Sequence, residues 1–414
     1  MKLLVVPWGR NLGHVMRCLS VVTEAAKQPD IEAMIALPQR WRETVGRIGA
    51  RLLSYPEELT AMPAWENWQQ LAHLRRSLQA DLELLQQAQP DVVLHDIRPT
   101  MLLACQLLDI PCIAIGKCHQ YPGFLFPGEK LAEPVWRNTT EVTNQLLGEY
   151  GLPPVKEDLR ELLYRRPIII PSVPEFDPVP ADQVSEGVAA QLWYTGPLLW
   201  SEGVHSDLPL FQGTEVPPVI FVYGVISRQH DLDALVATFR ETPFHLLVTG
   251  APPEVRVPTR AERVSLYPLV DVTTVLPRCT AAITHSAHGS CLATLSAGLP
   301  VAALSGPYQE YERTHNGRLL EKMGVGRRLP GVVGWRRVRE AVELITSEPS
   351  YREKARKWQQ YFKRWPGSPL VVEILRGLAT GEQLPPPFFS PEYCGPKAFD
   401  EEVTITQFVG AKQV

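Results

Sequence analysis

The sequence predicts an α/β protein with two doubly wound parallel sheets, and three observations support this fold class. The chain has 414 residues, of which 45% are hydrophobic. A single hydrophobic core stops growing beyond roughly 250–300 residues, so a chain of this length is expected to form more than one. Short apolar runs alternate with longer helix-like segments, as buried parallel strands alternate with crossover helices. A proline-rich stretch at 171–218 divides the runs into two groups, and each group predicts one domain.

The apolar runs give five predicted strands in each half of the chain. They lie at residues 3–6, 33–37, 92–95, 112–115 and 168–170, then at 219–223, 245–249, 264–267, 281–284 and 301–304. The predicted domains are residues 1–195 and 219–365, joined by a linker at 196–218 and followed by a Pro-rich C-terminal tail at 366–414. Because ligands bind outside the carboxyl ends of parallel strands, we expect strand-to-helix loops of both domains to line a cleft.

Composition excludes several classes of protein. The net charge of −4 is spread without a basic block, so no nucleic-acid partner is expected. Seven scattered cysteines form neither a disulfide framework nor a zinc pattern. No stretch approaches the roughly 20 apolar residues of a membrane span, and the N-terminal apolar run ends at Pro7. We therefore expect a soluble, cytoplasmic protein. Peripheral membrane contact through an arginine-rich segment at 40–51 is an alternative to a solvated helix face.

The strongest chemical signal lies at residues 281–301. A predicted strand ends at His285, small residues follow, and a helix begins near Gly289 and Ser290. Free amides and the helix dipole make such a helix start a site for phosphate. Glycine lets phosphate approach the backbone, and His285 can donate to a diphosphate oxygen. The simpler alternative is that His285 only ends the strand and Gly289 only makes a turn.

The same segment resembles the donor motif of the nucleotide-sugar glycosyltransferases that include the UDP-sugar transferases and the bacterial antibiotic and lipid glycosyltransferases. The matching positions are Thr284, His285, Gly289, Ser290, Ala297, Gly298 and Pro300. This resemblance implies the GT-B fold, in which two Rossmann-like domains face a cleft. It implies donor binding by Gly13, Gly224, Tyr267, His285, Ala287, Gly289, Ser290, Gln309 and Glu312.

Several positions depart from the family's motif. Ser286 and Ala287 replace paired glycines, and Ala293 stands where many members carry a glutamate that binds ribose. Glu312 and Arg313 stand where the family has a sugar-binding Asp-Gln pair, with Gln309 as a nearby alternative. Tyr267 matches the position of a base-stacking tryptophan in plant members. It is equally compatible with a half-buried aromatic at the end of a strand.

A candidate base follows the first predicted strand. His14 opens a helix after Gly13, in a pattern that resembles the family's base motif. A neutral imidazole can remove the proton of an acceptor hydroxyl. Asp96, at the end of a later strand, matches the family's partner carboxylate and would orient the imidazole. Without the resemblance, Asp96 is equally well explained as a helix cap. His95 alternates to the other face and is expected to be structural.

The expected enzyme is an inverting glycosyltransferase that moves a hexose-type sugar from a UDP-linked donor to a hydroxyl of a small apolar or lipid-like acceptor. A group of aromatic residues and a histidine either forms the acceptor pocket or packs in the hydrophobic core. Its members are His119, Tyr121, Phe124, Phe126, Trp65 and Trp68. No Asp-x-Asp metal motif occurs, so neither metal nor cofactor is expected. The alternatives are a non-hydrolysing sugar-nucleotide epimerase, for which no set of acid/base carboxylates is recognisable, and a non-catalytic sugar-nucleotide binding protein.

Overall fold

The computed structural model describes two compact units of the chain. The described residues are 1–8, 12–56, 59, 68–117, 139–156, 159–163, 168–177, 192–201, 208–211, 217–258, 262–305, 311–330 and 334–385. Among the described residues, 1–200 and 365–385 form the first unit, and Ser201–Arg364 forms the second. Gln309, Trp65 and the candidate acceptor residues at 119–126 lie outside the described residues, as does the chain after 385.

The first unit is a parallel sheet with helices in the connections. Its strands are β1 (Lys2–Val6), β2 (Glu32–Leu37), β3 (Arg51–Ser54), β4 (Val92–Asp96), β5 (Cys112–Ile115), β6 (Ile168–Ile170) and β7 (Leu192–Tyr194). Its helices are α1 (Leu12–Ala26), α2 (Arg42–Arg47), α3 (Leu71–Ala88), α4 (Pro99–Leu107), α5 (Thr140–Glu149) and α6 (Arg160–Leu163). The strand order is β3-β2-β1-β4-β5-β6-β7. All five residues of β4 are buried, as expected for a strand covered on both faces.

The second unit repeats this architecture. Its strands are β8 (Val219–Tyr223), β9 (His245–Thr249), β10 (Val264–Tyr267), β11 (Ala281–Thr284), β12 (Val301–Ser305) and β13 (Gly326–Pro330), in the order β10-β9-β8-β11-β12-β13. Its helices are α7 (Gln229–Phe239), α8 (Val272–Val275), α9 (His288–Ser296), α10 (Tyr311–Lys322), α11 (Trp335–Ser347) and α12 (Pro349–Phe362). Every strand pairing in both sheets is parallel. The predicted fold class is confirmed.

A final helix, α13 (Ser368–Thr380), belongs to the first unit although it follows the second in sequence. Leu370, Val371 and Leu375 pack in the same core cluster as strands β1, β2 and β4. The Ser20 and Ser368 hydroxyls lie 2.5 Å apart, and Arg376 pairs with Asp30. These residues lie in the stretch predicted as a Pro-rich tail, where no helix was predicted.

All ten predicted strands occur, and the structure adds β3, β7 and β13. Each of these three lies at an edge of its sheet. Edge strands have one unpaired side, so they need not be continuous apolar runs. Strand β13 carries Arg327 and Arg328, and β7 has only three residues inside the proline-rich stretch. No helix within the described residues is long and apolar enough to cross a membrane.

Candidate active site

The predicted base and its partner meet at one end of the first sheet. His14 lies in the first turn of α1, and Asp96 is the last residue of β4. Strands β1 and β4 are neighbours, with Val6 opposite His95, so both connections begin at the same edge. The Nδ1 atom of His14 lies 3.0 Å from Oδ1 of Asp96. His14 is 8% exposed and Asp96 is fully buried. The geometry is that of an imidazole oriented by a carboxylate.

Aromatic rings cover the imidazole of His14. The ring of Trp8 packs edge-on at 5.1 Å between centroids, and Trp68 packs against Trp8 at 5.9 Å. Burial lowers the pKa of His14 below its ordinary value. The charges of Arg17 and Lys117 lower this pKa further, whereas Asp96 opposes them. The ring is therefore neutral at pH 7, the protonation state that a general base requires.

Arg17 is the residue at this site that sequence reasoning missed. Its Nε donates to Oδ2 of Asp96 and its Nη2 donates to Oδ1, each over 2.5 Å. Burial alone would raise the pKa of Asp96, but the charges of Arg17 and His14 outweigh it and hold this pKa well below its usual range. The available signal was spacing, because position 17 follows His14 by three residues on a predicted helix and so shares its face.

The turn after Asp96 is strained and firmly anchored. Ile97 has a φ of +46°, which is unfavourable for a β-branched residue. Next to it, Arg98 donates to Oδ1 of Asp81 over 2.8 Å. The Arg98 backbone amide also donates to Nδ1 of His95 over 3.3 Å. His95 is thus buried in a structural contact, in agreement with its expected place on the other face of the strand.

The phosphate site predicted from the sequence would lie at the start of helix α9 in the second unit. Helix α9 starts at His288, directly after Ala287, which has no side-chain cap. The first helical bond is from the Cys291 amide to the Ala287 carbonyl, over 3.0 Å. The amides of Gly289 and Ser290 precede that bond and point out of the helix start. No described atom lies within 4 Å of where a Cβ on Gly289 would be, so the approach is open.

The hydroxyl of Ser290 is already used within the start of α9. The hydroxyl donates to the Ala287 carbonyl over 2.8 Å and closes the first turn of α9. Such a local bond occupies the only proton of the hydroxyl. The predicted donor-binding group at this position is therefore the backbone N–H, which the helix dipole also favours.

His285 packs tightly at the end of the second sheet. Its ring lies 5.4 Å from that of Tyr223, and a Cβ on Gly224 would come within 2.2 Å of its Nδ1. Gly224 has a φ of +71°, so both conformation and space require glycine there. Burial lowers the pKa of His285 to about 4, and Arg313 adds to this effect. Nδ1 of His285 is buried and has no hydrogen-bond partner among the described residues.

The serine that replaces a family glycine adopts the glycine-like conformation. Ser286 has a φ of +58°, in the left-handed region that costs about 1 kcal/mol or more for a residue with a Cβ. The Asn316 side chain donates to its carbonyl over 2.9 Å, and its own hydroxyl donates to Leu304 over 3.3 Å. These bonds hold the turn that joins His285 to α9.

The remaining predicted donor residues lie at different distances from this turn. Glu312, in the first turn of α10, is close enough for its charge to act on His285 and Cys291. Tyr267 ends β10, which β9 and β8 separate from β11. At usual strand spacing this is about 14 Å, a span suited to a nucleotide rather than to a single contact. Gly13 is exposed and lies beside His14 in the first unit.

Neither unit shows a ready-made metal site in its described part. No group of three or more histidine, cysteine, aspartate or glutamate residues is placed there to hold a metal ion. Positive charge at the second site comes instead from Arg313 and from the helix dipole.

Comparisons with known proteins agree with this architecture. No protein-family profile matches the chain. An uncharacterized glycosyltransferase of Methanosarcina mazei is 23% identical over 398 residues, which cover 91% of this chain and 98% of that protein. The solved glycotransferase of kitacinnamycin has a TM-score of 0.69 at 19% identity, covering 91% of this chain and 98% of that one. The spinosyn rhamnosyltransferase SpnG, solved with thymidine diphosphate, has a TM-score of 0.63 at 18% identity and covers 91% of this chain and 100% of its own.

The solved glycosyltransferases share the fold of this chain. Its two parallel-sheet units have the GT-B fold of those structures. A curated protein similar to it along nearly the whole chain is also named a glycosyltransferase. The chain thus has the GT-B fold and is similar to glycosyltransferases over nearly its whole length, in agreement with the resemblance of the sequence motifs.

Proposed function

We propose that the protein is an inverting glycosyltransferase that moves a hexose-type sugar from a nucleoside diphosphate donor to a hydroxyl of a small apolar or lipid-like acceptor. The observation that carries this proposal is the contact of 3.0 Å between Nδ1 of His14 and the buried Asp96 carboxylate. An imidazole held in this way has one nitrogen fixed and the other, Nε2, left to act as a base.

The first unit supplies proton removal. The Nδ1–H group of His14 donates a hydrogen bond to Asp96, so Nε2 carries no proton and its lone pair is free. The acceptor hydroxyl loses its proton to Nε2 as its oxygen attacks the anomeric carbon. Asp96 stabilises the imidazolium that forms, because its own lowered pKa keeps it ionised. General base catalysis of this kind contributes about 10²- to 10⁴-fold.

The second unit holds the donor. The amides of Gly289 and Ser290, at the start of α9, donate hydrogen bonds to the diphosphate oxygens. The bond between the anomeric carbon and the phosphate oxygen breaks as the acceptor bond forms, and the nucleoside diphosphate leaves. Helix dipole and His285 meet the leaving charge, so no metal or cofactor enters this mechanism. A single displacement inverts the anomeric configuration.

The nucleotide of the donor and the chemical class of the acceptor are proposed on separate grounds. The resemblance of the donor motif favours UDP, while SpnG was solved with thymidine diphosphate, so both pyrimidine nucleotides belong in a first panel. Trp8 and Trp68 place apolar surface next to His14, which favours an acceptor with an apolar body around its hydroxyl.

A donor panel followed by product analysis tests the proposal. We expect one nucleoside diphosphate sugar to raise the unfolding temperature, because a ligand that binds the folded state stabilises it. Transfer from that donor to an apolar alcohol should give a product of inverted configuration by NMR. Epimerised donor without acceptor would favour the epimerase alternative. Saturable binding without transfer would favour the binding protein.

Two variants test the assigned residues. We expect His14→Ala and His285→Ala each to lose at least 10²-fold in kcat/KM. His245→Ala is the control, because His245 is the first residue of β9 and therefore lies at the edge of the second sheet opposite to the carboxyl ends of its strands. Retained turnover in both site variants would contradict the proposed mechanism.

A further inference from the structure

Arg17 is a charged residue in an otherwise apolar part of α1. It is 7% exposed, and its neighbours Val15, Cys18 and Leu19 belong to the core of the first unit. A buried ion pair seldom adds net stability, because removing both charges from water costs about as much as their attraction returns. A purely structural role therefore gives little reason for an arginine at this position.

The guanidinium contacts both members of the catalytic pair. It binds both oxygens of Asp96, and its Nη2 lies 2.8 Å from Nδ1 of His14. The same Nδ1 lies 3.0 Å from Oδ1 of Asp96. Nη2, Oδ1 and Nδ1 thus form a triangle, with the imidazole nitrogen facing a donor and an acceptor at once.

Only one of the two contacts to Nδ1 can be a hydrogen bond at a given time. A guanidinium N–H always donates, so a bond from Arg17 requires Nδ1 without a proton. The proton of neutral His14 then sits on Nε2, and the ring cannot act as a base there. A bond to Asp96 requires the proton on Nδ1 and leaves Nε2 ready to accept. The two arrangements are the two tautomers of the ring.

We propose, building on the proposed function, that Arg17 is a positioning residue: it fixes the Asp96 carboxylate and sets the balance between the two tautomers of His14. The bonds of Arg17 to both oxygens keep the carboxylate in place to accept a hydrogen bond from Nδ1–H, in the tautomer with a free Nε2. Because Nη2 carries two N–H groups, it can also donate to Nδ1 in the other tautomer. In both tautomers its charge opposes formation of the imidazolium before the acceptor arrives.

The charges around the ring agree with this role. The groups that act on His14 are Asp96 from β4, Arg17 from α1 and Lys117 after β5. The thiol of Cys18, also on α1, lies near Asp96, and burial raises its pKa so that it stays neutral. Two cations against one anion disfavour a third positive charge on the ring.

The backbone next to Asp96 also restricts the carboxylate. Ile97 is held in a left-handed conformation between Asp96, bound by Arg17, and Arg98, bound to Asp81. A strained residue persists only where its surroundings fix it on both sides. Two guanidinium–carboxylate pairs do so here, and Arg17 belongs to the one that faces the imidazole.

Arg17→Met and Arg17→Lys test the proposal in the full chain, without any substrate. The readout is the ¹⁵N chemical shifts of the His14 ring across pH 4 to 9, which report both tautomer and titration. In Arg17→Met we expect the pKa of His14 to rise by about one unit or more, because a neighbouring cation is lost. Arg17→Lys keeps a positive charge but cannot bind both oxygens of Asp96 as the guanidinium does. The pKa of His14 should therefore stay near the wild-type value, while its tautomer populations change.

Kinetics give the second readout. We expect the acid limb of the kcat/KM profile of Arg17→Met to move to higher pH by the same amount as the titration. Arg17→Lys should lose at least 10-fold in kcat with little change in KM. Arg75→Met is the control, since it removes a guanidinium that pairs with Glu149 in the same unit and should leave the His14 titration unchanged.

Unaltered His14 shifts and titration in folded Arg17→Met would overturn the proposal. If that variant does not fold, wild-type tautomer populations in Arg17→Lys would overturn it instead. The ring measurements need no turnover, so they remain decisive even if the enzyme proves to transfer no sugar, and that separate failure would fall on the proposed function.

Discussion

The two histidines at the strand-to-helix junctions have opposite surroundings. In the first unit, Nδ1 of His14 lies within 3.0 Å of a carboxylate and a guanidinium. In the second unit, Nδ1 of His285 is buried without a hydrogen-bond partner among the described residues. The first site has its charges in place before any ligand binds. At the second site, the start of α9 has no side-chain cap and offers amides that a bound anion would satisfy. Under the proposed function, the group for proton removal is preorganised, whereas the donor itself brings the negative charge to its site.

The largest expected effect is on the preorganised site. Asp96→Asn removes the charge that orients His14 and would stabilise its imidazolium, so we expect kcat to fall by about 10³-fold or more. Steady-state kinetics on the folded variant measure this. Asp91→Asn is the control, because Asp91 stands just before β4 at the opposite end of the strand and accepts the Lys2 amide. Equal losses in the two variants would show that the effect comes from folding.

The next effect is on the pH dependence of stability. His285 has a pKa near 4 in the folded chain, below its ordinary value of 6.5. As pH falls, the His285 side chain takes up a proton near pH 6.5 in the unfolded chain but only near pH 4 in the folded chain. Its burial therefore costs no stability above pH 6.5 and progressively lowers the unfolding free energy between pH 6.5 and 4. The loss is about 3 kcal/mol at pH 4. Denaturant unfolding at several pH values measures this: between pH 7 and 4, the unfolding free energy of His285→Asn should fall by about 3 kcal/mol less than that of the wild type. The same pH dependence in both proteins would contradict the lowered pKa of His285.

The two glycines of the donor site should behave differently from each other. A Cβ on Gly224 would meet His285 at 2.2 Å, whereas one on Gly289 meets no described atom within 4 Å. Gly224→Ala should therefore lose about 1–3 kcal/mol of unfolding free energy. Gly289→Ala should keep or slightly gain stability. Both should weaken nucleoside diphosphate binding about 10-fold. Calorimetric titration and denaturation of the same samples separate the two causes.

The smallest expected change in unfolding free energy is at Ser286, one of the two residues other than glycine with a left-handed backbone at the sites; the other is Ile97. Ser286→Gly relieves a left-handed residue but loses the hydroxyl bond to Leu304 and adds flexibility to the unfolded chain. We expect a change in unfolding free energy within about 1 kcal/mol. Ile97→Gly also deletes a fully buried side chain, so it should destabilise by about 1–3 kcal/mol more than Ser286→Gly. A similar cost for both would mean that strain dominates at Ile97.

Much of the fold followed from the sequence because buried parallel strands and crossover helices leave strong local patterns. The ten predicted strands are short and mostly apolar runs, and nine of them lie inside a sheet. Strands β3 and β13 were missed because they carry charged residues, and β7 because it has only three residues inside the proline-rich stretch. Helix α13 was missed because prolines nearby suggested a tail, although Pro369 stands at the helix start, where its ring is tolerated.

The site was predicted in its residue types but not in its connections. His14 and Asp96 were chosen through a resemblance, and the structure brings them together, while their chemical roles remain predictions. Arg17 could not be assigned from the chain alone, because whether an arginine on an amphipathic helix faces solvent or a buried carboxylate is decided by the packing of β4 beside it. The hydroxyl bond of Ser290 likewise depends on the local turn and not on the motif.

The return of the chain to the first unit has a consequence for biosynthesis. Residues 201–364 are in effect inserted into the first unit, whose core includes Leu370, Val371 and Leu375 of α13. The entry and exit of that insert lie side by side, since the Gly367 amide donates to the Thr195 carbonyl over 2.7 Å. A nascent chain can fold the inserted unit as soon as it emerges, but the half that carries His14 stays unfinished until α13 has been synthesised.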